Sequence, residues 1–110
     1  MPQTPTPTPT VVTSSRSTDG KALTIVISGR FDFGAHQQFR EAYERVDSRP
    51  AKFIIDLKDT KYLDSSALGM LLLLRDHAGG ETADVEVVNS NSDVRKILGI
   101  SNFDKLFKIS

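Results

Sequence analysis

"KFIIDLKDTKYLDSSALGMLLLL", Lys52 to Leu74, changes its apolar period midway, and that change decides the fold class. "KFIIDL" follows the chain-breaking Pro50 and is a short apolar run with polar bounds, the pattern of a buried central strand. From Asp64 the pattern changes. "DSSALGMLLLLRDHAGG" is long enough for a helix and ends at Gly79-Gly80, where glycine readily takes the left-handed conformation of a C-terminal cap. Asp64 or Ser65 is expected to be the N-cap, its side-chain oxygen accepting N–H bonds from the first turn. That role does not explain the second hydroxyl, Ser66, nor the absence of charge from Ala67 to Leu74.

The pattern extends on both sides. Upstream, "VVTSSRS" and "ALTIVIS" are rich in β-branched residues and flank "TDGK", whose Asp19-Gly20 pair suits a tight hairpin turn with positive φ. Ala35, Phe39, Ala42, Tyr43 and Val46 keep helical spacing while Gln37, Arg40, Glu41 and Glu44 point away, which predicts an amphipathic helix over Ala35–Val46. Downstream, "ADVEVVN" alternates as a strand, and Asn91 or Ser92 can cap a helix carrying Val94, Ile97 and Leu98. "FDKLFKI" supplies a further apolar turn. The order β, β, α, β, α, β, α implies an α/β domain with a mostly parallel central sheet, an N-terminal hairpin strand and crossover helices.

Composition narrows the function. A chain of 110 residues can bury about two thirds of its unfolded surface in one core. The stretch "PQTPTPTPT" lacks apolar surface and favours extended backbone, so residues 1–10 are expected to be a disordered tail and 11–110 the domain. Fourteen basic and fourteen acidic side chains cancel, so no global charge steers the chain to nucleic acid or an anionic membrane. Without cysteine there is no disulfide, zinc finger or cysteine nucleophile. The start of the chain shows no basic segment followed by an apolar one, and no apolar stretch could span a bilayer; a soluble, cytoplasmic protein is expected.

Enzyme motifs fit poorly. A nucleophile elbow needs G-x-S-x-G, and "LDSSALG" lacks the first glycine. His36 at a helix start and His77 in a last turn have no spacing that marks a base. "GRFDFG" has neither the Walker lysine nor G-x-G-x-x-G. Asp56 ends a strand where a phosphoryl acceptor could sit, but "VISGRFD" and "VEVVNSN" lack the paired acids and the lysine that a response-regulator receiver would add. No cofactor and no metal is expected, and the chain reads as a binding module.

"IIDLKDTKYLDSSALGMLLLL" resembles the signature of the STAS domain, named for sulfate transporters and anti-sigma factor antagonists, in which an aspartyl-serine pair begins the helix after a central strand. "ISGRFDFGAHQQFREA" is similar to the family's glycine-x-x-aspartate loop and following helix, and "VEVVNSNSDVRKILGISNFDKLF" to its last strand and helices. The resemblance covers Val11 to Ile109. It implies a small free-standing anti-sigma factor antagonist, phosphorylated at the serine after the aspartate, here Ser65. The unphosphorylated form would bind a GHKL-type anti-sigma factor and serine kinase and free the sigma factor, and a PPM-type phosphatase would restore it. Asp64 would align or cap the site, with Ser66 and Asp56 supporting it. Asp32 of the loop would lie in the partner-facing or nucleotide-facing region, and Phe33 would face the partner. Leu68–Leu74 is expected to be mostly core, with Leu68 and Met70 near the exposed helix start offered to the partner. Ala67 replaces a common glycine and favours the helix; Arg30-Phe31 replaces the usual Glu-Leu and bears on partner choice. The family also contains unphosphorylated subunits that regulate a transporter's ATPase, which is the alternative reading.

Overall fold

A computed structural model describes residues 10–44 and 50–109. Strands β1 (Val11–Arg16) and β2 (Ala22–Phe31) form the expected antiparallel hairpin. Its loop, Ser17–Lys21, is longer than a two-residue turn, and Gly20 rather than Asp19 takes positive φ, at 75°. Asp19 works through its side chain, which accepts from the Ser17 hydroxyl and from the Lys21 N–H at 3.0 Å.

After a 3-10 turn at Phe33–Ala35 comes α1 (His36–Glu44), shorter at its start than the expected Ala35–Val46; Val46 lies outside the described residues, as does residues 1–9 of the expected tail. Then follow β3 (Lys52–Asp56), β4 (Thr60–Leu63), α2 (Ser65–His77), β5 (Val85–Val88), α3 (Ser92–Ile100) and β6 (Lys108–Ile109). The sheet order is β1-β2-β3-β5-β6, with β4 paired to β2 off that path. Every pairing except β1 with β2 is parallel. The mostly parallel α/β architecture is therefore as the alternation of elements implied.

Two strands were not expected, and one of them builds the site. β2 pairs with β3 over Ala22–Val26, then changes register at Gly29, whose φ of 90° suits a residue without a side chain, and pairs with β4 through Arg30↔Tyr62 and Phe31↔Leu63. "DTKYL" has too few apolar residues to announce a strand, and it becomes one because the far end of β2 needs a partner for its backbone. Buried Thr60 fixes the start of β4: its hydroxyl donates to the Ile27 carbonyl at 2.6 Å, and its own carbonyl accepts from the Asn91 side chain at 3.1 Å. β6 is a two-residue strand on the outer side of β5.

The core follows the alternation of the strands. Leu23, Ile25, Ile27 and Phe31 of β2, Phe53 and Ile55 of β3, and Val85 and Val87 of β5 are buried, while the residues between them are half-exposed, apart from buried Gly29 and exposed Arg30. Against them pack Phe39 and Tyr43 of α1, Val94 and Leu98 of α3, and Ala67, Met70, Leu71 and Leu74 of α2. The α2 set has the spacing i, i+3, i+4, i+7, one helix face. The run is mostly core as expected, with Met70, Leu71 and Leu74 buried and Leu68 packed against them, while Leu72 and Leu73 fall on the other face and are exposed. Gly79 follows the helix with φ of 124°, as its position in the sequence implied. Among the described residues no helix is long and apolar enough to cross a membrane.

Candidate functional site

The end of β4 delivers the chain to α2, and the end of β2 holds it there: the Asp64 N–H donates to the Phe31 carbonyl at 3.4 Å. Asp64, with extended backbone, is the N-cap. Its Oδ1 accepts from the Ala67 N–H at 3.1 Å and from the Ser66 hydroxyl at 2.6 Å, and its carbonyl accepts from the Leu68 N–H at 3.2 Å. Asp64 and Ser66, both expected to support the site, are thus spent on the cap. Ser65, first residue of the helix, is exposed, and among the described residues nothing holds its hydroxyl.

Desolvation on its own would raise the Asp64 pKa, but the hydrogen bonds from the Ser66 hydroxyl and from the Ala67 and Ser66 N–H groups outweigh it and hold the carboxyl below its ordinary value. At neutral pH the cap is a carboxylate, which the helix N-terminus favours. Ser65 therefore sits directly beside a fixed negative charge.

The loop after β2 forms the flank of the site. Asp32 caps the 3-10 turn by accepting from the Gly34 N–H at 2.9 Å, and it pairs with Arg30 Nε at 3.3 Å. Arg30 also lies over the Tyr62 ring, 4.9 Å from its centroid. Phe33 is 73% exposed and stacks on His36 at 5.6 Å, and Tyr62 is 46% exposed. Through the β2/β4 register this polar and aromatic surface adjoins the start of α2. Residues with such aromatic and guanidinium groups dominate binding surfaces when a partner covers them.

Other expected residues lie elsewhere. Met70 is only 3% exposed and belongs to the core, because it falls on the same face as Ala67, Leu71 and Leu74; it is not offered to a partner. Leu68 is half-buried against the core. Phe31 is fully buried, so of the Arg30-Phe31 pair only Arg30 reaches the surface. Asp56 accepts from the Lys58 N–H at 3.0 Å and the Asn89 side chain at 3.2 Å; it joins the ends of β3 and β5 instead of supporting Ser65. His36 and His77 line a groove of about 250 Å³ with Arg40, Tyr43, Glu44 and Leu73. Among the described residues no cluster of His, Asp or Glu could hold a metal ion. Sequence reasoning missed Tyr62, whose role depends on a strand pairing that its neighbours do not announce.

A hydroxyl is thus displayed at the first turn of α2, directly after a strand paired to the far end of β2. The family profile described as "Mlab, STAS domain" matches residues 14–108. The chain belongs to the STAS domain family. A STAS-domain containing protein of Pseudomonas aeruginosa (strain UCBPP-PA14) is 64% identical over 99 residues, covering 90% of this chain and 98% of that one. An anti-sigma factor antagonist from Mycobacterium paratuberculosis has a similar fold, with a TM-score of 0.75 at 20% identity over 92% of this chain and 85% of that one. So does the Bacillus cell fate determinant SpoIIAA in its phosphorylated form, with a TM-score of 0.70 at 17% identity over 91% of each chain.

Proposed function

We propose that the protein is an anti-sigma factor antagonist whose partner binding is switched off by phosphorylation of Ser65. The observation that carries this reading is the contrast at the start of α2: Asp64 and Ser66 are locked in the cap, while the hydroxyl of Ser65 is exposed and uncommitted. The likeness to anti-sigma factor antagonists, one of them in a phosphorylated form, supports it. The unphosphorylated domain binds an anti-sigma factor that is also a GHKL-type serine kinase, and a PPM-type phosphatase resets the switch. All of this takes place in the cytoplasm.

The physics of the switch is local. Phosphate adds about 1.5 to 2 negative charges beside the Asp64 carboxylate, on a surface where the partner meets a neutral hydroxyl. Like charges juxtaposed in an interface cost several kcal/mol, and a loss of about 3 kcal/mol weakens binding about 100-fold. The fold itself need not change, because Ser65 is outside the core.

Incubation with the host's kinase and ATP is expected to label Ser65 and not the Ser65→Ala variant; label that survives this substitution rejects the assignment. A pull-down from the native host is expected to recover the kinase. Recovery of an ABC ATPase in its place would favour the transporter-regulating subunit.

A further inference from the structure

The ordinary receptors for a phosphate at a helix start are its free N–H groups, but here the Asp64 carboxylate already takes the Ala67 N–H and, with it, the Ser66 hydroxyl. A phosphate on Ser65 would thus face a carboxylate and few open donors. The start of α2 offers no cation either, since Ala67 to Leu74 carries no charge and the basic residues Arg75 and His77 stand in its last turn. The nearest strands offer two: Lys61, the extra residue at the β2/β4 register shift, and Arg30, paired across the ladder with Tyr62. Arg30 is exposed and is held on this face by two weak, breakable contacts, an ion pair with Asp32 at 3.3 Å and the Tyr62 ring at 4.9 Å. One register step beyond Arg30, the Phe31 carbonyl bonds the Asp64 N–H, which puts the root of its side chain close to the start of α2.

We propose that Arg30 is the receptor for the phosphate of phosphorylated Ser65, exchanging its carboxylate partner Asp32 for the more highly charged group. This rests on Ser65 being the modified residue. The exchange favours phosphate because a guanidinium binds it with two parallel N–H···O bonds and because the dianion outcompetes a lone carboxylate. Its consequence reaches past the added charge: the Tyr62 ring loses its cover and Asp32 loses its counter-ion, so the surface that the partner reads is rearranged over Arg30, Asp32 and Tyr62 together. The position where this chain carries arginine thereby makes the phosphorylated state a distinct shape as well as a distinct charge.

The test uses the full chain with phosphoserine inserted at position 65 during translation, so no kinase is needed. The phosphorus NMR signal is followed from pH 4 to pH 8. The charged groups that the β2/β4 pairing and the chain bring to the start of α2 are Arg30 near the end of β2, Asp32 in the loop after it, Lys61 on β4 and Asp64 at the cap. In the phosphorylated wild type the second phosphate ionisation is expected to lie below that of the Arg30→Gln variant by about half a unit, a threefold change in proton affinity. Arg30→Lys keeps the charge without the fork and is expected to fall between them, and Lys61→Gln to change little. Equal ionisation in wild type and Arg30→Gln, or a full shift in Lys61→Gln alone, overturns the proposal. Either of those results would leave the Ser65 switch standing, whereas a kinase that labels another residue would remove the switch and leave the titration unaffected.

Discussion

Replacing Asp64 by alanine removes the acceptor for the Ala67 N–H at 3.1 Å and for the Ser66 hydroxyl at 2.6 Å. Loss of an N-cap side chain costs about 0.5 to 2 kcal/mol, typically about 1, and the vanished charge at the helix N-terminus adds about 0.3 to 1 kcal/mol. A total of about 1.5 kcal/mol corresponds to a drop of about 6 to 12 °C in Tm for a domain of this size. Asp64→Asn separates the two contributions, because asparagine caps as well as aspartate but carries no charge. Ser65→Ala is the control: its hydroxyl is exposed and uncommitted, so the change is expected to stay within about 0.5 kcal/mol. Thermal unfolding followed by circular dichroism reads all three. A Ser65→Ala variant as unstable as Asp64→Ala would refute the division of labour between a structural aspartate and a free serine.

The depressed pKa of Asp64 gives a pH signature. Its charged form is the one stabilised by the fold, so that contribution is complete above the ordinary aspartate value of about 4 and is lost as pH falls through the lower folded value. The stability gap between wild type and Asp64→Asn is therefore expected to narrow as pH falls below the ordinary aspartate value of about 4; a gap independent of pH contradicts it. Leu71→Ala, at a fully buried position facing the sheet, is expected to cost about 2 to 5 kcal/mol by urea denaturation, and a cost under 1 kcal/mol would mean that α2 is not packed as described. Phe33→Ala is expected to leave stability within about 0.5 kcal/mol while weakening partner binding about tenfold or more, measured by calorimetry. An unchanged affinity there places the interface elsewhere.

How much was legible in the sequence depended on whether the signal was local. The hairpin, the strand at "KFIID", the three helices and the caps at Asp64 and Asn91 all have short-range causes in period and turn chemistry, and they appear within a few residues of expectation. β4 has none: it exists because β2 outlasts its pairing with β3 and turns at Gly29, a tertiary event. The same gap hid the Arg30 and Tyr62 contact, which needs the register of that pairing. Met70 was misplaced for another reason. In a run where nearly every residue is apolar, period no longer tells one face from the other, so buried Met70 and exposed Leu73 could not be told apart. Asp56, which the resemblance implies as a supporting residue, has its side chain spent on the Lys58 N–H and the Asn89 amide, a long-range contact that the sequence does not announce. Ser65 itself was found through resemblance, and its exposure is consistent with that expectation.

The most direct measurement compares the affinity of the kinase recovered from the host for two proteins, the unmodified domain and the same domain with phosphoserine at position 65, by isothermal calorimetry at one salt concentration. The account expects the phosphorylated protein to bind about 100-fold more weakly, about 3 kcal/mol, with an unchanged Tm. Equal affinity for the two proteins would contradict it.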